Sequence, residues 1–189
     1  MLDLALRLGF DEVNDDINVV LNQYQKVKHD FYRSFDPSLI SSFLLGLLSN
    51  AHHRASNAEI LGEGNHFRVY KLKLSSEMTV AVSCAKPKFL KHLSSQNLSW
   101  VGMMKAVQRI DHVLIPPMEL FETDDQLAYI QPCCKDQNFL ITKKYLSTLS
   151  ASLDHLLYEH HLRLIDGQQI MAYEGLAFVV DWSDLVQVG

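Results

Sequence analysis

The chain has 189 residues, of which 48% are hydrophobic and 21% are charged, and its formal net charge at pH 7 is −5. This composition is typical of a globular protein with a core of its own, and the length fits one domain with or without an appendage. The acidic balance argues against a dedicated nucleic-acid-binding protein, because such proteins are usually basic. No apolar run in the sequence is long enough to span a bilayer.

Three cysteines are present, at Cys84, Cys133 and Cys134. Their odd number and the adjacent pair do not fit a disulfide framework, so we expect reduced thiols and a reducing compartment. The N-terminal stretch is acidic and lacks the basic segment that begins a secretory signal. These features predict a cytoplasmic protein.

Residues 1–59 are predicted to form a helical N-terminal extension. Over residues 11–33, apolar side chains recur at helical spacing, with acidic residues in the first turns and basic ones near the end, where the helix dipole favours them. Asp36 followed by Pro37 predicts the start of a second helix, with a carboxylate N-cap and proline at the first helical position. The apolar face over residues 39–48 is wide enough to require burial. It packs either on the rest of the chain or against a partner helix or second copy.

Residues 60–86 predict three strands. Gly62-Glu63-Gly64 forms a turn, residues 67–74 alternate in polarity, and residues 78–85 are apolar and rich in β-branched side chains. Two glycines between strands allow the backbone to approach a ligand closely, and their N–H groups can face phosphates. The alternative is an ordinary hairpin in which the glycines only turn the chain.

A basic amphipathic helix over residues 98–110 is predicted next, after a loop-like beginning at Pro87. No acidic residue occurs between Glu77 and Asp111. This patch is either a solvated helix face or a surface for phosphate or an acidic partner. The remaining predicted elements are strands over 118–121 and 126–131, a helix over 142–161, and a hairpin over 169–173 and 176–180.

Two motifs lie near the ends of this ordered set. Ile60-Leu61-Gly62-Glu63-Gly64, followed by Val69-Tyr70-Lys71, is similar to the glycine-rich loop of protein kinases, and Val179-Val180-Asp181-Trp182-Ser183 is similar to their metal-binding Asp-Phe-Gly motif. Residues 60–189 therefore resemble a reduced, degenerate protein-kinase-like fold. The resemblance implies an α+β architecture of three parts. Residues 60–134 would form a small lobe of antiparallel sheet and one main helix, residues 135–189 a minimal remnant of the large lobe, and residues 1–59 an added helical hairpin.

The resemblance also implies site residues. Gly62 and Gly64 would cover the phosphates of ATP, and Asp181 would hold Mg²⁺. The phosphate-pairing lysine is expected after Val80-Ala81-Val82, where the chain has Ser83. Lys86 is the nearest substitute, three residues on and directed to the opposite face of the strand.

Further departures from the family pattern follow along the chain. The third glycine of the loop is replaced by Phe67, whose bulk would crowd a backbone lying over phosphates, and the helix lacks its partner glutamate. The catalytic base is replaced by Leu164, and the second metal-ligating asparagine is replaced by Gln169. Asp166 lies two residues beyond Leu164 and is either a substitute base or a turn former. Eight residues follow Asp181, which leaves one helix and one hairpin as the expected counterpart of the large lobe.

These departures favour a non-catalytic, pseudokinase-like protein-interaction module of the adaptor or bacterial-effector type, which requires no cofactor. It would bind a protein partner through the N-terminal helices or the basic helix, in the cytoplasm or in a host cell's cytosol if it is an effector. A homodimer through the N-terminal helices is a further prediction.

The alternative is an atypical ATP-dependent phosphotransferase, with ATP and Mg²⁺ as cofactors. Asp181 would be the metal ligand, Gly62, Gly64 and Lys86 would contact the nucleotide, and Asp166 would be the base. A third hypothesis is a small α+β interaction domain whose resemblance to kinases is accidental. Both kinase-like hypotheses require Gly62, Gly64 and Asp181 to face one cleft.

Overall fold

A computed structural model describes residues 15–48, 59–95, 100–123 and 126–189. The helices within these residues are α1 (Asp15–Ser34), α2 (Pro37–Leu48), α3 (Pro87–Ser95), α4 (Trp100–Val107) and α5 (Lys143–Glu159). The strands are β1 (Glu59–Glu63), β2 (Phe67–Lys73), β3 (Thr79–Ala85), β4 (Glu119–Glu122), β5 (Leu127–Pro132), β6 (Leu162–Leu164), β7 (Ile170–Tyr173), β8 (Leu176–Val179) and β9 (Leu185–Gln187). The predicted α+β fold class is confirmed.

The main sheet has five antiparallel strands in the order β1-β2-β3-β5-β4. Strand β3 lies at its centre, where Ser83 is opposite Val69 on one side and Tyr129 on the other. Two small antiparallel pairs, β6 with β9 and β7 with β8, follow at the C-terminal end of the chain. Because side chains alternate along a strand, the central strands present one set of residues to each side of the sheet.

One face of the sheet is covered by α2 and the end of α1. Asp36 begins α2 as predicted, since its carboxylate accepts hydrogen bonds from the backbone N–H groups of Ser38 at 2.8 Å and Leu39 at 3.4 Å. Ile40 and Leu44 of α2 are buried within one cluster. The other fully buried members of that cluster are Phe31, Met78, Val80, Val82, Ala128 and Ile130. The apolar face of α2 is therefore covered largely by the chain itself.

The opposite face of the sheet belongs to the larger core, which also contains α4, α5 and the C-terminal strands. Helix α1 reaches this core as well. The ring of Tyr24 lies 6.3 Å from that of Phe178, and its hydroxyl donates to the carbonyl of Ile115 at 3.3 Å. The predicted N-terminal extension thus packs against both the sheet and the C-terminal strands.

Most predicted elements are found close to their expected positions, but one predicted loop is a helix and two short strands were not predicted. The loop-like beginning at Pro87 is wrong, because Pro87 occupies the first position of α3, where its missing N–H costs nothing. Phe89 of that helix is buried in the larger core. Strands β6 and β9 were not predicted, since three residues are too few to show an alternating pattern.

None of the helices in the described part of the chain is long and apolar enough to cross a membrane.

Candidate functional site

A cavity of about 770 Å³ lies on the face of the sheet opposite α2. Gly62 and Gly64 line it from the β1–β2 hairpin, and Asp166, Gln169 and Asp181 line it from the C-terminal part of the chain. The structure therefore brings together the glycines and the aspartates that the sequence singled out. This is the arrangement that both kinase-like hypotheses require.

The two glycines leave space in the cavity. A Cβ atom built on Gly62 would meet nothing within 4 Å, and one on Gly64 would meet only the carbonyl oxygen of Phe67 at 3.8 Å. Neither residue has a positive φ, so the fold itself does not demand glycine at these positions. The glycines therefore leave the cavity wall without a side chain at positions 62 and 64, between the side chains of Leu61, Glu63 and Asn65.

Ser83 is 1% exposed and lines the inner end of the cavity. The side chains around it form an aromatic cluster of Phe67, Phe89, Trp100 and Tyr129. Within this cluster, the ring centroids of Phe67 lie 5.3 Å from those of both Trp100 and Tyr129. Phe67 was expected to crowd the hairpin backbone, but its ring is buried in the aromatic cluster instead.

Lys86 is not among the residues that line the cavity. Its ammonium group lies 2.7 Å from the carboxylate of Glu63, which also accepts hydrogen bonds from the guanidinium group of Arg68 at 2.9 and 3.1 Å. The hydrogen bonds from Arg68 and Lys86 lower the pKa of Glu63 to about 2. The charge of Lys86 is thus neutralised at the β1–β2 hairpin.

Three carboxylates, Asp166, Asp181 and Asp184, line the outer end of the cavity and are called the acidic group below. They also line a smaller adjoining cavity of about 250 Å³. Desolvation raises the pKa of Asp184, and the hydrogen bond and negative charge of Asp166 and the charge of Asp181 raise it further. The imidazole Nδ1 of His66, on the β1–β2 hairpin, lies 3.7 Å from the carboxylate of Asp184.

The turn that carries Asp181 is fixed by local bonds. The carboxylate of Asp181 accepts a hydrogen bond from the backbone N–H of Ser183 at 2.9 Å. Trp182 is fully buried, and its carbonyl accepts a hydrogen bond from the indole N–H of Trp100 at 3.1 Å, which ties the turn to α4. Leu164, at the position expected for the base, is buried on β6, whereas Asp166 is exposed at the cavity wall.

Asp184 and Gln131 are among the cavity residues that sequence reasoning did not single out. Asp184 carried a signal only in its proximity to Asp181. Gln131 is 2% exposed and lines the cavity from β5. Its side-chain nitrogen donates to the carbonyl of Val180 at 3.1 Å, while its side-chain oxygen has no hydrogen-bond partner among the described residues. No pattern in a strand of apolar residues identifies such a position.

The adjacent cysteines Cys133 and Cys134 also line the cavity, and both are free thiols, as expected. Burial raises the pKa of Cys134 to about 12, so the thiol carries no nucleophilic charge near neutral pH. Cys84, the third free thiol, likewise has its pKa raised to about 12 by burial.

No protein-family model matches the chain, and no similar sequence is found among curated proteins. The resemblance to protein kinases therefore depends on this chain's own residues and their arrangement.

The residues that line the cavity do not reproduce the magnesium–nucleotide site of a protein kinase. Ser83 stands at the position of the expected lysine, and its buried hydroxyl provides no positive charge for a phosphate. Among the described residues, no three His, Cys, Asp or Glu side chains form a group that could hold a metal ion without oxygens from a ligand. Asp181 as a metal ligand and Gly62, Gly64 and Lys86 as nucleotide contacts remain predictions.

Proposed function

We propose that this chain is a non-catalytic, kinase-like protein-interaction module. The resemblance to the kinase fold is supported by the order of the elements and by the cleft that Gly62, Gly64 and Asp181 share. The single observation that carries the non-catalytic part is Ser83, buried beside the aromatic cluster at the position of the phosphate-pairing lysine.

Phosphoryl transfer in this fold is almost entirely positioning and electrostatic stabilisation, so each missing charge matters. Ser83 replaces the lysine, and α4 contains no acidic residue to pair with one. Leu164 is buried at the position of the base. With three charged parts replaced together, an enzyme of this type would lose many orders of magnitude in rate.

The proposed interaction surface is the basic side of α3 and α4. Lys88 and Lys91 on α3 and Lys105 on α4 are exposed, and no acidic residue occurs on either helix. Such a surface suits an acidic segment of a partner protein, whose charges would steer its association.

A thermal-shift titration with ATP, with and without Mg²⁺, tests the non-catalytic part. We expect no shift in wild type at millimolar ATP, although a ligand at about a hundred times its Kd would stabilise the fold by about 2.7 kcal/mol. Ser83→Lys should gain no ATP-dependent shift either. It should lower the melting temperature, because an unpaired ammonium in a buried site costs several kcal/mol.

Two variants make this outcome interpretable. Ser83→Ala is the matched control for Ser83→Lys, because it removes the hydroxyl without adding a charge. Asp181→Asn should behave as wild type at every ATP concentration. A Mg²⁺-dependent shift in wild type that Asp181→Asn removes would overturn the proposal.

One observation favours a second candidate, an atypical ATP-dependent phosphotransferase. Gly62, Gly64, Asp166 and Asp181 line one cavity although they are far apart in the sequence. Transfer of labelled phosphate to a protein or small-molecule acceptor, abolished by Asp181→Asn, would establish this activity. An unchanged rate in that variant would exclude it.

A further inference from the structure

We propose that the cleft binds a small organic cation, an amine or guanidinium compound with an apolar body. This inference rests on the proposed function in one respect, namely that the cleft does not hold a magnesium–nucleotide complex. It names a ligand class that the mismatch with ATP leaves open, and it follows from the charges, hydrogen-bond acceptors and shape of the cavity.

The first argument is the balance of charge along the cavity wall. The cavity wall carries two cationic lysine side chains, Lys71 and Lys135, and five carboxylates. Lys71 is bound to Glu59 at 2.7 Å, and Glu63 is already paired with Arg68 and Lys86. When these pairs are set aside, the acidic group of Asp166, Asp181 and Asp184 faces Lys135 and the imidazole of His66. A polyanion would be repelled at this end, and a cation would be attracted.

The second argument is Gln131, which is independent of the acidic group. The orientation of its amide is fixed, because the side-chain nitrogen donates to the carbonyl of Val180 and the reverse orientation would bring two oxygens together. Its side-chain oxygen is thereby left as an acceptor without a donor among the described residues. A buried acceptor of this kind lowers stability unless a donor reaches it.

Both arguments call for hydrogen-bond donors on the ligand. Ionised carboxylates and the Gln131 side-chain oxygen accept hydrogen bonds but cannot donate them. An ammonium group offers three N–H donors and a guanidinium group offers five. A compact metal ion is less suitable, because the described residues provide no group of three ligands close enough to hold one. The polar end of the cavity therefore matches a nitrogen cation.

The inner end of the cavity determines the rest of the ligand. Phe67, Val69, Ala81, Tyr129 and Met171 line it, and the β1–β2 hairpin contributes no side chain at Gly62 or Gly64. A volume of about 770 Å³ lies within the range of about 300–1,000 Å³ found for small-molecule sites. A ligand with an aromatic or aliphatic body and a cationic head would fill both ends.

The test uses three probes that share one apolar body: 2-phenylethylamine, 2-phenylethanol and phenylacetate. Binding to the full chain is measured by calorimetry or by chemical-shift titration. The amine should bind at least about tenfold more tightly than the alcohol, and its affinity should fall as salt is raised. Phenylacetate should not bind measurably. The inference would be overturned if the amine and the alcohol bound with equal affinity. It would also be overturned if the amine did not bind at about 10 mM.

Variants locate the site. Asp181→Asn should weaken binding of the amine by about tenfold and leave the alcohol unchanged, because it removes charge but little volume. Gln131→Leu should weaken it as well, and Asp184→Asn provides a second charge variant if Gln131→Leu does not fold. Glu122→Gln, an exposed residue on the edge strand β4, is the matched control and should bind as wild type. An unchanged affinity in all three cleft variants would contradict the inference.

The outcomes separate this inference from the proposed function. An ATP-dependent shift removed by Asp181→Asn defeats the proposed function, whatever the amine does. If the amine does not bind and ATP causes no thermal shift, the inference is wrong and the proposed function still stands.

Discussion

At the scale of single residues, Ser83 lies beside an aromatic cluster and not beside a charged partner. A lysine in this position needs an acidic partner, but the nearest helix presents Trp100, whose ring packs 5.8 Å from that of Tyr129. The contacts among the aromatic rings stabilise the core, and the hydroxyl of Ser83 provides no positive charge for a phosphate. Reintroducing the lysine alone would therefore not restore a phosphate site.

His112 is a second residue whose environment decides its behaviour. It is fully buried, its Nδ1 accepts a hydrogen bond from the backbone N–H of Leu114 at 3.2 Å, and its Nε2 has no partner among the described residues. Burial lowers the pKa of His112 to about 4, from a model-peptide value of 6.5. The side chain is thus neutral in the folded protein throughout the physiological range.

This depressed pKa predicts a pH-dependent stability. Below about pH 6.5 the unfolded chain takes up a proton that the folded chain does not, so stability present above pH 6.5 is lost as the pH falls toward 4. The loss attributable to this group is on the order of 3 kcal/mol. His112→Asn keeps an acceptor for Leu114 but does not titrate. Urea unfolding between pH 7 and pH 4 should therefore show wild type losing stability relative to this variant.

The exposed His155 provides the control. His155→Asn should follow the wild-type pH dependence closely. If wild type and His112→Asn lose stability in parallel down to pH 4, the buried imidazole does not have the effect described.

Ser83 and Leu164 could be singled out from the sequence, because the kinase-like motifs predict a lysine and a catalytic base at these two positions. Gln131 and Asp184 could not. Gln131 on β5 and Asp184 in the C-terminal turn line one cavity only because the tertiary fold brings them together. No local sequence pattern indicates that proximity.

At the scale of elements, local chemistry was a reliable guide where it was strong. The Asp36-Pro37 start of α2, the helical periodicity of α1 and the alternation of β2 all correspond to observed elements. On β2, Val69 and Lys71 face the cavity, while Leu72 packs on the α2 side, as the alternation predicts. Short elements such as β6 and β9 are determined by their pairing partner and not by their own sequence.

Helix α2 supplies a test of whether its apolar face is buried within the chain. Leu44 is 1% exposed and the neighbouring Leu45 is 63% exposed. Leu44→Ala should lower the free energy of unfolding by about 2–5 kcal/mol, because it leaves a cavity in the core. Leu45→Ala should change it by less than about 0.5 kcal/mol. The free energies of unfolding of both variants are measured by chemical denaturation at two protein concentrations.

Concentration is the informative variable in that experiment. If the face were completed by a second copy, as the predicted homodimer requires, stability would depend on protein concentration and Leu45→Ala would remove this dependence. We expect no such dependence.

At the scale of the whole molecule, α1 joins regions that the sequence suggested were separate. It contacts the carbonyl of Ile115 and the ring of Phe178 through Tyr24, and Phe31 at its other end belongs to the α2 side of the sheet. The composition changes near residue 59, but one buried core contains residues from both sides of that position. Sequence periodicity shows which side of a helix is apolar, but not what covers it.

This packing predicts a single unfolding transition. Both tryptophans lie after residue 59, whereas α1 and α2 contribute 20 and 12 helical residues against 9, 8 and 17 in the other helices. Urea curves followed by tryptophan fluorescence and by far-UV circular dichroism should therefore coincide. Val27→Ala, in the buried face of α1, should shift both curves equally. Helical signal lost before the fluorescence changes would show that the N-terminal helices unfold alone.

The position of α1 has a consequence for biosynthesis. Gln23 of this helix donates a hydrogen bond to Glu174, which is 151 residues later in the chain. Ribosomes add about 5–20 residues per second. The interval between synthesis of α1 and synthesis of the surface it packs on is therefore roughly ten to thirty seconds. During that interval its apolar stripe is open to chaperones and to other nascent chains. The yield of native protein should therefore depend on what shields this stripe during translation.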